Sequence, residues 1–269
     1  MKPVKHISST QNSEIRELIT IKEKKKGRSS SGLFVLEGIR EFTIAREAGY
    51  DFEKFFFCPD IISEDIVTKC TAFFPDVPLI SVSKSVYERI AYRGKTEGWI
   101  ALGHAKEHTL TGLPPLSSHP LILVVESPEK PGNVGALLRT ADAAQLSAVL
   151  IADPISDLYN PNTVRSSIGC LFSVPVATAT SAEIIAFLKD RNIAIYAATL
   201  QDADNYVEQD YTLPTAIVVG AESSGLTQVW RDEANGKIKI PMAGKIDSMN
   251  VSVSAAILIF EARRQRKFR

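Results

Sequence analysis

Three segments concentrate the residues whose types and spacing could do chemistry. ESPEKPGNVGALLRT (126–140) carries Asn133 and Arg139, VVGAESSGLT (218–227) carries Glu222 between Gly220 and Gly225, and IPMAGKIDSMNVSVSAA (240–256) carries Ser248 and Asn250. A guanidinium, a carboxylate, two amides and a hydroxyl can orient a polar substrate and stabilise developing negative charge. Gly135 lies four residues before Arg139. Helical side chains lean toward the helix start, so on one helix Arg139 could pass over the bare Gly135 backbone and reach the loop. Each residue has a plainer reading as well. Asn133, Ser248 and Asn250 could be helix caps, and Arg139 or Glu222 a solvated surface charge. Arg165, after the Asn160-Pro161 helix start, carries the same ambiguity. None of the segments reads GxGxxG or GxxxxGK[ST], which weakens a dinucleotide or phosphate-loop reading, because those cradles need Gly at fixed positions.

The elements that must position these groups follow from hydrophobic patterning. From Leu121 onward short apolar runs (LILVVE, AVLIA, LFSVPV, IAIYAAT, TAIVVG, KIKIP) alternate with helical patterns. That alternation predicts an α/β domain with a mostly parallel sheet covered by helices on both faces, and ligands beyond the carboxyl ends of its strands. The last helix, from about residue 250, is apolar on nearly every face. It is therefore expected to be buried, carrying Ser248 and Asn250 into the interior. A smaller α/β domain precedes, with a polar helix over 10–26, a mobile basic GRSSSG loop and the strand LFVLEG. The Pro- and Ser-rich stretch near 108–120 separates the two domains. The expected organisation is thus 1–108, a linker 109–120, and 121–269.

Composition bounds the function classes. The chain has 269 residues, 45% hydrophobic and 23% charged, the profile of a globular protein. No apolar run approaches the ~20 residues that span a bilayer, and the first residues lack the apolar core of a secretory signal, so a cytoplasmic location without membrane contact is expected. Cys58, Cys70 and Cys170 are widely spaced and never in a CxxC pair, which suggests buried thiols and no metal site. Lys+Arg and Asp+Glu both number 31. The bases are unevenly spread, however: KEKKKGR (22–28) holds five with one acid, and 263–269 holds five with none. These runs read either as solvated helix ends or as polyanion contacts.

Taken together, NVGALLRT, VVGAESSGL and IPMAGKIDSMNVSVSAAILIFEARRQ resemble, in order and spacing, the three motifs of the SpoU family of RNA ribose 2′-O-methyltransferases, within the SPOUT superfamily. The segment YNPNTVRSSIGCLFSVPV is similar to the family stretch that carries an Arg and a Gly, here Arg165 and Gly169. The start ISSTQNSEIRELITIKEKKKGRSSSGLFVLEG resembles the accessory substrate-binding domain of the ribosomal-RNA branch.

The resemblance implies a trefoil-knotted C-terminal domain, an L30e-like N-terminal domain, S-adenosyl-L-methionine as methyl donor, and a homodimer whose site uses both subunits. It implies that Gly220, Ile240, Met242, Met249 and Thr199 line the donor pocket. Arg139, Asn133, Glu222, Ser248 and Asn250 would form the catalytic set. Lys24, Lys25, Lys26, Arg28 and Arg165 would hold RNA, with large-subunit ribosomal RNA the expected target. Ala221 stands where the family often has Asn or Ser, and Met249 where it usually has Leu. The resemblance implies general-base action for Arg139. Because arginine stays protonated at neutral pH, stabilisation of the ribose alkoxide is the role expected of it here. A transfer-RNA methylase, a non-catalytic RNA-binding or ribosome-assembly protein on the same fold, and a nucleotide-dependent metabolic enzyme are the competing readings.

Overall fold

The computed structural model describes residues 5–92 and 97–268. Contacts divide the chain into two compact units, Met1–Lys106 with Leu158–Ser173, and Glu107–Asp157 with Val174–Arg269. The first unit thus includes a stretch, 158–173, that falls within the span 121–269 expected to form one domain.

The first unit begins with β1 (Lys5–Ile7), α1 (Ser13–Glu23), α2 (Lys25–Ser31), β2 (Leu33–Glu37), α3 (Ile39–Glu47) and β3 (Phe52–Phe57). It continues with α4 (Glu64–Thr71), β4 (Leu79–Val82), α5 (Lys84–Ile90) and β5 (Trp99–His104). Its sheet has the order β1-β4-β3-β5-β2, with β5 antiparallel to both neighbours. Ile15, Leu18 and Ile21 line one face of α1 and join Phe56, Ile100 and Leu102 in the core, as their helical spacing requires.

The structure corrects one expectation here. GRSSSG is not a mobile loop: its first five residues belong to α2, and the helical run breaks at Lys24, whose φ of −114° and ψ of 124° are extended. Gly27 explains why two helices can fold on each other. A Cβ there would lie 2.7 Å from the Thr20 carbonyl oxygen, so only glycine permits this approach of α2 to α1. The turn carries Arg28 inward. It is 5% exposed, and its Nη1 donates to the Ile21 and Lys22 carbonyls at 2.8 and 3.0 Å. Arg28 therefore satisfies the carbonyl end of α1 and is withdrawn from any RNA surface. Lys24, Lys25 and Lys26 remain exposed.

The second unit opens with β6 (Leu121–Glu126), α6 (Pro131–Ala143) and β7 (Ala148–Ala152). The chain then supplies α7 (Pro161–Ser166) and α8 (Cys170–Ser173) to the first unit. LFSVPV is therefore not one strand. Its Leu171-Phe172 pair sits in a helical turn that stacks Phe172 on Phe34, with ring centroids 5.6 Å apart. Back in the second unit come β8 (Val176–Ala179), α9 (Ser181–Lys189), β9 (Ala194–Ala198), β10 (Asp204–Asn205) and β11 (Thr215–Val219). α10 (Gln228–Glu233), β12 (Gly236–Lys239) and α11 (Val251–Gln265) complete it.

All seven strands are parallel, in the order β10-β12-β9-β11-β6-β7-β8. Every residue of β6, β7 and β11 is buried, which is why these strands read as unbroken apolar runs. The last helix departs from expectation. Only Ala255, Leu258, Ile259 and Ala262 of α11 are buried, while Val253 is 48% and Phe260 42% exposed. One face of α11 packs on α6 and β11, and the opposite apolar face is open. Two of the C-terminal bases are structural here. Arg266 donates to the carbonyls of Tyr211 (2.7 Å), His119 (2.7 Å), Pro120 (3.3 Å) and Leu213 (2.6 Å), and Arg263 donates to those of Ala144 and Gln145. Burial holds both guanidinium pKa values below the ordinary arginine value.

Candidate active site

From β6 the chain order runs to β7 and β8 on one side and, across the sheet, to β11, β9 and β12 on the other, so the order reverses between β6 and β11. Ligands of open parallel sheets bind beyond the strand ends at such a reversal. The three chemistry-bearing loops follow β6, β11 and β12.

Asn133 does not cap its helix. Lys130 is the N-cap residue and Pro131 opens the first turn, where its missing N–H costs nothing. Asn133 therefore lies inside that turn with its amide free for tertiary contact. Its Nδ2 donates to Glu222 Oε1, and its Oδ1 accepts from Asn250 Nδ2 at 3.3 Å. Asn250 in turn caps α11, its Oδ1 accepting from the Ser252 amide at 2.9 Å and the Ser252 hydroxyl at 2.6 Å. One relay thus joins residues from all three loops. Both the cap reading and the site reading of Asn250 hold, because its two side-chain atoms serve different neighbours.

Glu222 is only 16% exposed in its side chain and faces Lys130 Nζ at 3.5 Å. That ion pair falls on Oε2, which is buried and receives no hydrogen bond. A second tie links the same loops, since the Ser223 hydroxyl donates to Glu129 Oε1. Lys130 and Glu129 were not singled out in the sequence. Their only signal is their place in the loop after the central strand.

Beside this relay lies an open cavity of about 500 Å³, in the usual range for a small-molecule site. Thr199, Gly220, Ile240, Met242 and Met249 all line it, together with Glu222 and Ser248. Gly220 follows β11 where the chain doubles back. A Cβ there would stand 2.2 Å from the Gly225 carbonyl carbon and 2.4 Å from the Leu226 nitrogen, so a side chain is sterically excluded. The Ala221–Gly225 bridge, with the Gly225 amide on the Ala221 carbonyl at 2.9 Å, closes the turn.

Two expectations for this region need correction. Ser248 and Asn250 are exposed rather than interior, because α11 turns only one face to the core. Among the described residues the Ser248 hydroxyl bonds only its neighbour Asp247, at 3.3 Å. Arg139 is exposed, does not line the cavity and, among the described residues, makes no hydrogen bond or ion pair. Arg165 lies in the first unit, its guanidinium 5.6 Å from the Tyr92 ring.

The profile of the SpoU rRNA Methylase family matches residues 120–260. The chain belongs to this family. A second profile, the MRM3-like substrate binding domain, matches residues 12–101. The chain is similar to the 23S rRNA (guanosine(2553)-2′-O)-methyltransferase of Bacillus subtilis, 26% identical over 97% of this chain and 100% of that protein. It is also similar to a 23S rRNA (uridine(2479)-2′-O)-methyltransferase of Streptomyces viridochromogenes, 34% identical over 54% of this chain and 52% of that one. Among solved structures, an RNA 2′-O ribose methyltransferase is 38% identical with a TM-score of 0.85, covering 97% of this chain and 99% of the other. An AdoMet-bound rRNA methyltransferase from Sinorhizobium meliloti is 26% identical with a TM-score of 0.87, covering 97% and 98%. Family membership gives the three-loop arrangement its setting. The Asn133–Glu222–Asn250 relay is built from the three SpoU motifs, and the cavity from the second and third with the end of β9.

Proposed function

We propose that this SpoU methylase transfers a methyl group from S-adenosylmethionine to a ribose 2′-hydroxyl of RNA in the cytoplasm, with large-subunit ribosomal RNA as its target. The observation that carries the reading is the hydrogen-bonded relay of Asn133, Glu222 and Asn250, whose Glu222 lines a cavity shared with Gly220, Ile240, Met242 and Met249.

The cavity fits the donor. Its volume suits a molecule of that size, Ile240 and the two methionines offer apolar contact to a thioether-linked chain and a flat base, and Glu222 brings a carboxylate to its wall. Thr199, Gly220, Ile240, Met242 and Met249 would hold it. When bound, S-adenosylmethionine supplies an electrophilic methyl group on its sulfonium.

The residues of the chain do the rest. Methyl transfer needs the 2′-oxygen aligned and its developing charge stabilised. Asn133 is fixed from both sides by Glu222 and Asn250 and orients the nucleotide, Glu222 and Ser248 border the cavity, and Arg139 stabilises the alkoxide while its proton passes to solvent or a neighbouring RNA phosphate. A guanidinium that serves no partner in its own chain is available for this, and Arg139 meets that condition among the described residues.

Two further observations support a homodimer with a shared site. Arg139 does not line the cavity of its own chain, so a second copy would bring it there. The open Val253 and Phe260 face of α11 is the apolar surface on which that copy would pack. The trefoil knot that the family resemblance implies is part of the same proposal for the second unit. Lys24, Lys25 and Lys26, exposed in the domain that matches a substrate-binding profile, would grip RNA phosphates. Arg165 beside Tyr92 would add a further RNA contact.

The test is transfer of labelled methyl from S-adenosylmethionine to total RNA of a strain lacking the protein, followed by nucleoside digestion and mass spectrometry. Label in a 2′-O-methyl nucleoside of large-subunit RNA is the expected result. Label in transfer RNA would move the target to the second reading. Donor binding without label in any RNA would point to an assembly-stage particle as the substrate, and no label with no donor binding would leave a non-catalytic RNA-binding protein.

A further inference from the structure

Helix α10 starts in an unusual way. Thr227 holds its N-cap position, where a threonine hydroxyl ordinarily accepts from the helix's own second or third amide, yet no such side-chain bond forms. The hydroxyl donates instead to Glu126 Oε1 at 2.6 Å, and the Thr227 amide donates to Glu126 Oε2 at 2.9 Å. Glu126 is the last residue of the central strand β6 and is 2% exposed. A buried carboxylate is costly unless its oxygens are bonded. Here one residue bonds both of them.

The same helix is held a second time. Trp230 Nε1 donates to Ser181 Oγ at 2.9 Å, and that hydroxyl donates to Asp153 Oδ2 at 2.5 Å. Glu126 ends β6, and Asp153 directly follows the neighbouring β7, so two adjacent strands end in carboxylates that hold α10, one directly and one through Ser181. A helix this short gains little from its own ends, so the forgone cap points to a demand from the preceding loop. That loop carries Gly220 and Glu222.

We propose that Glu126 and Thr227 are a positioning pair for the methyl-transfer site. They fix the far end of the 220–226 loop to β6, whose own continuation bears Asn133, and so set the spacing between Glu222 and Asn133 and the wall of the donor cavity. Neither residue lines the cavity, so both act through the loop. The proposal rests on reading that cavity as the S-adenosylmethionine site.

The test uses the full chain. S-adenosylmethionine is titrated calorimetrically into wild type, Glu126→Ala, Thr227→Val, the double variant and Thr227→Ser, and kcat, KM and Tm are measured for each. Thr227→Val keeps the side-chain shape and so remains informative should Glu126→Ala fail to fold. Misplacement of a site wall by an ångström costs on the order of tenfold to a hundredfold. The expected result is therefore that Thr227→Val and Glu126→Ala each weaken donor binding and lower kcat by about tenfold or more. The double variant should be no worse than the poorer single, and Thr227→Ser should match wild type, since residues in one contact couple non-additively. A fall in Tm with donor Kd and kcat unchanged makes the pair a purely structural tie and overturns the proposal, as do additive losses. Wild-type protein that binds no donor overturns the reading of the cavity, and the positioning role with it. Normal binding in every variant overturns the positioning role alone.

Discussion

Replacement of Gly220 by alanine tests the donor cavity at its tightest point. The added Cβ would stand 2.2 Å from the Gly225 carbonyl carbon, 2.4 Å from its oxygen and 2.4 Å from the Leu226 nitrogen. Ordinary contact begins near 3.4 Å, so the 220–226 loop must retreat by more than an ångström. All three atoms are backbone, and no rotamer change can relieve them. Overpacking of this kind typically costs about 1–3 kcal/mol, which in a chain of this size lowers Tm by roughly 2–4 °C per kcal/mol. The larger effect falls on the site, because the retreating loop carries Glu222 away from Asn133, and a displacement of about 1 Å costs on the order of a hundredfold in rate. The assay is donor titration by calorimetry together with single-turnover methyl transfer, with the melting curve as control. An alanine variant that binds donor and turns over within about twofold of wild type, with Tm unchanged, would refute the claim that Gly220 is needed for close backbone approach.

Four other outcomes are expected. Arg139→Ala abolishes methyl transfer and leaves donor affinity nearly intact, because its assigned partner is the ribose oxygen and not the donor; loss of calorimetric donor binding would count against that role. Replacing Lys24, Lys25 and Lys26 together by alanine weakens RNA binding and flattens the dependence of log K on log salt by roughly 2, since each phosphate contact contributes about 0.7–0.9; an unchanged slope places the RNA elsewhere. Phe260→Glu puts a charge on the open face of α11 and yields monomers in sedimentation, with transfer lost. Finally, burial raises the Cys70 thiol from its ordinary value near 9 to about 11. The folded chain then holds its thiol proton where the unfolded chain has released it. Stability is flat with respect to this group below about pH 9 and falls as pH rises from there to about 11. A Cys70→Ala variant should lose that segment of the denaturation profile.

The sequence was most legible where local pattern and tertiary setting agree. LILVVE, AVLIA and TAIVV become fully buried parallel strands because nothing else accommodates unbroken apolar runs of that length between helices. The loops that follow were recognisable as site-bearing, and the structure ties Asn133, Glu222 and Asn250 together. Legibility failed where long-range packing overrides local preference. GRSSSG reads as a flexible linker, yet the bare Cα of Gly27 lets α2 close on α1, and Arg28 then finds carbonyls that no local rule announces. Asn133 looked like a cap, but Pro131 sets the helix start two residues earlier. The all-round apolarity of α11 suggested complete burial, although the chain itself covers only one face. The Glu126–Thr227 tie spans about a hundred residues and left no pattern to read.

That separation along the chain also governs how the site comes into being. Asn133 and Glu222 are 89 residues apart, and Asn133 and Asn250 are 117 apart, so no short fragment of the chain holds the relay. The cavity walls come from the ends of β9, β11 and β12 and from the start of α11. A folding intermediate in which α11 has not yet docked therefore has no competent site, whatever its content of native strands. A ligand that recognises only the finished state stabilises it by mass action, by about 2.7 kcal/mol at a hundredfold excess over Kd. The methyl donor thus acts as a thermodynamic latch on the docking of α11, and its concentration sets the fraction of chains in which α11 is seated.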